Sequence, residues 1–393
     1  MINLTNLQLQ DAISNLLNEE KGLSKVLEMT LNGLMFAERS EFLSKERDSG
    51  NKGNGYRGAK AIGMGKEIRL SVPRDRHGVF EPVILALIRD QEQHLYDISF
   101  DLYGKGLTTI QIGELTQKIY GRHYSSSSIS RITKTFYSEM EAWRNRGLEE
   151  KYLAVYIDAI HVKVRRETVS SEAFYIMLGL KEDYTREVIA ITNIPTESAS
   201  GWKDELEILK SRGVKKVGLF IGDGLSSLEN SIHQVFPESY FQKCVVHFKR
   251  NILNKVKPKH KAEVAEGLKE VFAMDKINDT KNDALARLKA FSLEWGKLYK
   301  HIDKLSHNHL YEYYFTYLDF NHQIWRMIYT TNWIERLNKD FRRSLKIRNA
   351  LPSAESALTL ITKVAVDKED KNYHYPIHNF KKDLKLKEII NLD

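Results

Sequence analysis

The chain has 393 residues, of which 42% are hydrophobic and 28% are charged. This balance is typical of folded proteins and excludes a largely disordered chain, while the length exceeds what one hydrophobic core usually organises, so roughly two or three domains are expected. Lys and Arg total 60 against 52 Asp and Glu, and the resulting net charge of +8 favours a polyanionic partner, either nucleic acid or an acidic membrane surface.

The sequence also predicts where the protein resides. The longest apolar run, 82–88, is far shorter than the roughly 20 residues that a membrane-spanning helix needs. The N-terminus lacks the charged-then-apolar pattern of a signal peptide. The single cysteine, Cys244, cannot form an internal disulfide and suits a reducing compartment. We therefore expect a soluble cytoplasmic protein that is not bound to a membrane.

The N-terminal part of the chain is predicted to be mainly helical. Between residues 3 and 46, apolar residues recur at the three- and four-residue spacings of one or two amphipathic helices. From Arg47 to Arg69, glycines alternate with basic residues, and this segment is predicted to be a mobile basic loop. A short strand should follow before the polar sequence at 73–78, for which a solvated surface turn is the alternative.

Two further helical patterns, 108–120 and 126–143, are separated by a short break. The second pattern opens with serines suited to capping a helix, and it carries Arg131 and Lys134. This arrangement resembles a helix-turn-helix DNA-binding motif. A plain helical hairpin explains the same pattern equally well.

The middle of the chain changes to strands rich in Val, Ile and Tyr. Three consecutive strands should pair antiparallel, and a helix, a strand, a helix and a strand should follow them. This succession is the order of a ribonuclease-H-like fold, an α/β layered architecture with a mixed sheet. The predicted strands are 152–164, 173–180, 187–194, 217–221 and 240–246, and the predicted helices between them are 197–212 and 226–236.

The rest of the chain is predicted to be helical. The segment 252–328 should be helical throughout and form an insertion, and helices are expected again at 332–345 and 353–366. The predicted domains are a mainly helical DNA-binding region at 1–150, a ribonuclease-H-like catalytic domain at 151–250 and 330–367, an all-α insertion at 251–329 and a polar C-terminal tail at 368–393.

Two aspartates stand where a catalytic metal site would need them. Asp158 lies within the first predicted strand, where its apolar neighbours would bury it. A buried carboxylate is usually paired, hydrogen-bonded or bound to metal, because burying it alone is costly. Asp223 follows the apolar strand 217–221, at the carboxyl end where open α/β sheets bind ligands. The two carboxylates would converge if the first and fourth strands are neighbours, although a capping or turn role explains either one alone.

A third carboxylate, Glu335, is predicted in the first turn of a helix that Thr331 or Asn332 caps. Asn338 and Arg342 follow it by three and seven residues and therefore share its helix face. An acid, an amide and a guanidinium on one face suit a metal-bound phosphate. The alternative is an ordinary acid placed favourably at the positive end of the helix dipole.

Basic residues cluster near the proposed site. From Lys243 to Lys261 there are seven Lys and Arg residues and no acid, and from Arg336 to Arg348 there are six against Asp340 alone. Such clusters are typical of phosphate contacts and predict salt-sensitive binding, whereas a solvated helix face is the alternative. The candidate DNA-binding residues are Arg57, Arg74, Arg76, Arg131, Lys134, Lys249, Arg250, Arg336, Lys339, Arg342 and Arg343.

Asp158, Asp223 and Glu335, taken in this order, resemble the acids of bacterial insertion-sequence transposases of the Mutator-like superfamily, within the DDE transposases. The resemblance runs from about Tyr56 to Val366. The matching stretches are PRDRHGVFEP at 73–82, YIDAIHVKVR at 156–165, GDGL at 222–225, QKCVVHFKRN at 242–251 and TTNWIERLNKDFRR at 330–343.

The resemblance implies that Asp158, Asp223 and Glu335 bind two Mg²⁺ or Mn²⁺ ions. It also implies nicking at the element's terminal inverted repeats, followed by attack of the freed 3′-hydroxyl on another phosphodiester. The partner is then double-stranded DNA, both element ends and target, and a homodimer bridging both ends is expected in the bacterial cytoplasm or on the nucleoid. Separations of 65 (223 minus 158) and 112 (335 minus 223) fit relatives with a helical insertion before the glutamate.

Family members also carry a Cys-x-x-His pair, which Cys244 and His247 match. One Cys and one His are too few for a closed zinc site, so a structural or substrate-positioning role is favoured. Asn338 belongs to the matched stretch around Glu335, but the resemblance assigns it no role of its own. Two other functions remain open: a metal-dependent nuclease such as a junction resolvase, and a DNA-binding regulator or inactive relic.

Overall fold

The three-dimensional structure is a computed structural model that describes Ser14 and residues 22–46, 50–63, 66–120, 126–194, 199–223, 226–306, 309–348 and 350–391. The chain divides into two compact units, Met1–Thr135 and Phe136–Asp393, and each is described by itself. The division falls inside a helix, upstream of the boundary at residue 150 that the sequence predicts. No helix in the described ranges is both long and apolar enough to cross a membrane.

The first unit contains a helix and a two-stranded antiparallel hairpin. Helix α1 (Gly22–Lys45) packs against strands β1 (Gly53–Gly63) and β2 (Lys66–Asp75). The apolar face of the hairpin supplies Ala61, Ile68, Leu70 and Val72, which are buried together with Met35 of α1.

The mobile basic loop predicted from Arg47 to Arg69 is therefore wrong, because β1 and the start of β2 occupy most of that segment. Its glycines conceal a two-residue alternation in which Ala59 pairs with Leu70 and Ala61 pairs with Ile68 on the face toward α1. Gly58 lies on the outer face, where an added Cβ would meet nothing within 4 Å. The apolar face of the hairpin packs against α1 and stabilises it. The glycine on the opposite face does not prevent β1 from pairing with β2.

Three helices follow the hairpin: α2 (Val83–Gly104), α3 (Thr109–Tyr120) and α4 (Ser126–Arg144). The spans of α3 and α4 confirm the two helices predicted around residue 120. The connection between them, 121–125, lies outside the described residues, and so does the side chain of Arg131. The helix-turn-helix interpretation accordingly stays a prediction.

The second unit is built on a five-stranded mixed sheet in the order β5-β4-β3-β6-β7. The first three strands pair antiparallel as predicted, and β6 pairs parallel with both β3 and β7. The last strand is shorter than predicted, because a helix begins at Val245. The strands are β3 (Lys151–Arg165), β4 (Val169–Lys181), β5 (Arg186–Asn193), β6 (Lys216–Gly222) and β7 (Tyr240–Lys243).

Helices cover both faces of this sheet. Helices α5 (Ala199–Ser211) and α6 (Ser226–Val235) bury one face through a core that includes Trp202 and Phe220, both 0% exposed. Tyr156 has the opposite orientation on β3 and packs its ring 5.2 Å from that of Trp333. The second face is thereby covered by the helices that follow residue 330.

The predicted insertion is only partly helical. Helices α7 (Val245–Asn254), α8 (Lys261–Val271), α9 (Lys281–Gly296), α10 (Lys300–Asp303) and α11 (Trp325–Ile328) are joined by turns and 3-10 segments, so continuous helix through 252–328 is wrong. Thr280 and Asp283 form a reciprocal capping box that starts α9 after the loop 272–280.

The helices predicted after the insertion are confirmed as α12 (Asn332–Leu345) and α13 (Ala354–Lys368), with the Ser353 side chain capping the latter. The polar segment beyond residue 368 is folded into a π-helical turn, a 3-10 turn and helix α14 (Leu384–Asn391). These elements belong to the second unit, Phe136–Asp393, which is called the sheet unit below. Gly218 of β6 allows α14 to pack against that strand, since a Cβ there would lie 2.7 Å from the Leu153 carbonyl oxygen and 3.1 Å from Leu386.

Candidate active site

Asp158 lies in β3, on the sheet face toward α12, and is 9% exposed. Burial raises the pKa of its carboxyl, and the opposing influences are the charge of His247 and a hydrogen bond from Asn338. In that bond Asn338 Nδ2 donates to Asp158 Oδ2 over 2.7 Å. The sequence prediction that apolar neighbours bury this aspartate is confirmed.

Asp223 directly follows β6, the parallel neighbour of β3. The register pairs Tyr156 with Ile221, so Asp158 and Asp223 each stand two residues beyond the same paired position. Asp223 is half-buried. The first and fourth strands are neighbours, which meets the condition set for convergence, and the two aspartates stand at corresponding positions on them.

Glu335 lies in the first turn of α12, a helix that packs against β3. Its Oε1 is buried without a hydrogen-bond partner, and His247 Nε2 lies 3.6 Å away. Thr331 occupies the N-cap position, yet its side chain forms no capping bond. Its hydroxyl donates instead to Cys244 Sγ over 3.4 Å. The cap position is as predicted, but the hydroxyl joins α12 to the Cys-His pair.

His247, on α7, lies next to Glu335 and is influenced by the charges of the two aspartates. Its pKa is raised to about 9, first by a hydrogen bond with Cys244 and also by the charges of Asp223 and Asp158. For Cys244, burial raises the pKa of the thiol, but hydrogen bonds with His247 and Thr331 outweigh burial and leave it lowered. The Cys-His pair is thus part of the carboxylate site, and His247 places positive charge between groups that would otherwise repel one another.

The donor chemistry of the site suits a hard divalent cation. Carboxylate oxygens are the ligands that Mg²⁺ and Mn²⁺ prefer, and the unpartnered Oε1 of Glu335 is an anionic atom with unused capacity to bind a cation. Within the described ranges, however, no three His, Cys, Asp or Glu side chains lie close enough together to hold one ion. The three acids are thus more widely separated than they would be around a bound ion.

A buried ion pair beside the site was not foreseen from the sequence. Lys243 Nζ lies 2.7 Å from Glu229 Oε2, and both side chains are about 5% exposed or less. Glu229 belongs to α6, which follows Asp223, and Lys243 immediately precedes Cys244. The only feature of the sequence that indicated this pair was an acid, Glu229, in the first helix after Asp223. Nothing in the sequence identified Lys243 as its partner.

The candidate DNA-binding residues have several environments. Four lie exposed on α12, whose opposite side buries Leu337 and Phe341. Lys249 is instead half-buried over the ring of Phe272 at 5.1 Å, and burial lowers the pKa of its ammonium group. The exposed candidates are Arg57, Arg74, Arg76, Lys134, Arg250, Arg336, Lys339, Arg342 and Arg343.

Comparisons with known proteins agree on one family. The family model described as Transposase, Mutator family matches residues 2–375. The transposase for insertion sequence element IS1201 of Lactobacillus helveticus is 34% identical over 90% of this chain and 94% of its own length. The transposase for IS905 of Lactococcus lactis subsp. lactis (strain IL1403) is 32% identical over 84% of each chain. The transposase for IS256 in transposon Tn4001 of Staphylococcus aureus is 29% identical over 88% of this chain and 89% of its own.

The solved Drosophila P element transposase strand transfer complex aligns with a TM-score of 0.29 and 10% identity, over 76% of this chain and 83% of that one. A likeness this low does not establish a shared fold.

Proposed function

Because the chain belongs to the Mutator family of transposases and is a DNA transposase, we propose that Asp158, Asp223 and Glu335 are its catalytic, metal-binding acids. The observation that carries the proposal is geometric: Asp158 and Asp223 stand at corresponding positions on neighbouring strands, and α12, which contains Glu335, also places Asn338 2.7 Å from Asp158 Oδ2. Three segments far apart in sequence therefore contribute one acid each, and His247 lies 3.6 Å from Glu335.

The proposed cofactors are two Mg²⁺ or Mn²⁺ ions per site, which these three carboxylates would hold after drawing closer together than the separation described above. Bound ions of this kind activate the attacking oxygen and neutralise charge at the reacting phosphate. The other side chains of the site orient the carboxylates and reduce the repulsion between them. Asn338 fixes an oxygen of Asp158, and His247 offsets the mutual repulsion of the acids. The Cys244 thiol and the Thr331 hydroxyl link α7 to the start of α12.

We further propose that the sheet unit is a ribonuclease-H-like core with a helical insertion. Its support is the strand order: three antiparallel strands followed by two parallel ones, with Asp158 and Asp223 on the adjacent strands β3 and β6. The reaction is hydrolytic nicking at the element's terminal inverted repeats and transfer of the freed 3′-hydroxyl to a target phosphodiester. A homodimer bridging both ends, and a location in the cytoplasm or on the nucleoid, rest on the family resemblance alone.

Two basic surfaces are proposed to bind the double-stranded DNA. On α12, exposed Arg336, Lys339 and Arg342 share a helix with Glu335, which would bring phosphates close to the acids. The other surface is the outer face of the β1–β2 hairpin, where exposed Lys60 stands directly opposite exposed Arg69. Two exposed cations on one face of a hairpin suit contact with the phosphates of a duplex.

The outer edge of this hairpin is already occupied. The backbone N–H groups of Arg69 and Ser71 donate to the Glu28 and Asn32 side chains of α1, at 3.0 and 2.8 Å respectively. These bonds cover the edge of β2, so another strand cannot pair there without displacing α1. The exposed face, and not that edge, is therefore the surface assigned to DNA.

The test uses purified protein, Mg²⁺ and DNA carrying the element's ends. Asp158→Ala, Asp223→Ala and Glu335→Ala should each lower strand cleavage roughly a thousandfold, the loss expected when several kcal/mol of transition-state stabilisation disappear. Asp340→Ala is the matched control, because Asp340 lies on the same helix but pairs with Lys368. Cleavage that survives all three substitutions at the acids would remove the assignment.

The reaction products separate the proposal from its alternatives. A transposase joins the cut element end to a second DNA molecule, whereas a resolvase-like nuclease releases cut DNA and never joins it. A regulator or inactive relic would bind the ends tightly with no metal-dependent turnover. Joined molecules on a denaturing gel, lost on chelation and restored by Mg²⁺, are the result that the proposed function requires.

A further inference from the structure

Asn338 is a fully buried polar residue whose role the sequence left open. It lies on α12, one helical turn after Glu335, and is 0% exposed. Its amide nitrogen donates to Asp158 Oδ2 over 2.7 Å, a contact between residues 180 positions apart in sequence. Its other polar atom, Oδ1, is buried and has no hydrogen-bond partner.

Packing alone does not explain an asparagine at this position. A buried amide oxygen without a partner costs free energy, and a leucine of similar size among Ile334, Leu337 and Phe341 would avoid that cost. The hydrogen bond that Asn338 Nδ2 donates to Asp158 must offset this cost. The favourable interaction of the Asn338 side chain is therefore its hydrogen bond to the Asp158 carboxylate.

The chemistry of the amide suits a carboxylate that must bind a cation. An Asn amide donates hydrogen bonds without carrying charge, so it fixes the orientation of Asp158 and adds no charge to the site. A Lys or Arg in the same place would add a second positive charge to that of His247 and would compete directly with a metal ion for the carboxylate. Since Glu335 and Asn338 belong to adjacent turns of α12, the same helix sets the positions of two acids.

We propose that Asn338 is a positioning residue that orients Asp158 with respect to Glu335 for binding the divalent ions. This inference rests on the proposed function, because it assigns to Asp158 the role of a metal ligand. Groups that hydrogen-bond to metal ligands typically contribute roughly 10–100-fold to metal affinity. The same magnitude is expected for Asn338.

The experiment is titration of the DNA-free protein with Mn²⁺, followed by calorimetry, on purified full-length variants. Asn338→Leu removes the donor at similar volume and should weaken Mn²⁺ binding roughly 10–100-fold. Asn338→Ser, which is smaller, should weaken it as well and serves if the leucine variant fails to fold. Asn332→Leu is the matched control, because Asn332 lies exposed on the same helix and should leave the affinity unchanged.

A double-mutant cycle tests whether Asn338 acts through Asp158. If it does, adding Asn338→Leu to Asp158→Ala weakens Mn²⁺ binding no further, whereas independent roles would give multiplied effects. A merely structural role would lower the thermal midpoint of the metal-free protein and leave Mn²⁺ affinity within about twofold of wild type. That result would overturn the proposal.

The cycle also separates the two levels of inference. If Asp158→Ala itself leaves Mn²⁺ affinity unchanged, the assignment of Asp158 as a metal ligand fails, and the role of Asn338 fails with it. If Asp158→Ala weakens binding and neither Asn338 variant does, the metal site stands and only the positioning role is lost.

Discussion

The charges in the sheet unit and the charges on the β1–β2 hairpin are compensated in different ways. Inside the sheet unit, buried Asp158 accepts a hydrogen bond from Asn338, and buried Lys243 pairs with Glu229. On the hairpin, Lys60 and Arg69 stand opposite each other on the two strands, and both are exposed to water. A buried charge requires a specific protein partner, whereas an exposed charge is solvated already and is stabilised less by any one partner.

The largest effect should come from breaking the interior pair. Lys243→Met leaves Glu229 buried without its partner, so the free energy of unfolding should fall by about 3–5 kcal/mol. Urea denaturation followed by circular dichroism measures this change. Lys243→Met combined with Glu229→Leu should recover much of the loss, because no buried charge then remains unpaired. A loss below about 1 kcal/mol in the single variant would mean that water reaches this pair.

A smaller effect, and one of a different kind, is expected on the hairpin. Lys60→Ala together with Arg69→Ala should leave the free energy of unfolding within about 0.5 kcal/mol of wild type, because both side chains are exposed. DNA binding should weaken, and the slope of log affinity against log salt should become shallower by roughly 0.9 for each phosphate that the protein no longer neutralises. Fluorescence anisotropy on an end-containing duplex measures the slope, and an unchanged slope would exclude this face from the DNA interface.

The smallest effect should be at Lys45, near the end of α1, where its ammonium lies 2.7 Å from Glu41. Both side chains are largely exposed, so Lys45→Ala should change neither the thermal midpoint nor the salt slope of DNA binding measurably. The variant is the matched control for the hairpin pair. If Lys45→Ala made the salt dependence of DNA binding as shallow as the hairpin variant does, any exposed cation of the first unit would contribute to binding. The outer face of the hairpin would then not be a specific DNA-binding surface.

The sequence predicted those features whose cause is local. Asp158 was identifiable because apolar residues flank it within one strand, and Asp223 because it ends a short apolar strand. The succession of strands along the chain and the span of α12 follow from the same local patterns. The assignment of Glu335 depended on the family motif, because an acid in the first turn of a helix is common.

Features that depend on contacts distant in sequence could not be predicted. The bond from Asn338 to Asp158 and the Lys243–Glu229 pair each join separate elements, and neither residue type nor spacing specifies such partners. Strand β1 was missed for a different reason: its many glycines favour a loop when read locally, while the apolar face of α1 provides the packing that makes it a strand. In both the side-chain pairs and strand β1, contacts with elements distant in sequence determine the structure, and local propensity does not.

Helix α14 has a consequence for copies of the gene that carry a premature stop. Leu386 and Ile390 lie against β6 at Gly218, and Asp383 Oδ2 accepts a hydrogen bond from the Asn321 backbone over 2.7 Å. A polypeptide interrupted just upstream of Leu384 would contain all three acids and still leave that side of β6 open to water. Decayed copies of this kind should therefore yield products that are more sensitive to protease than the full chain, which pulse proteolysis of a chain ended at residue 383 would reveal.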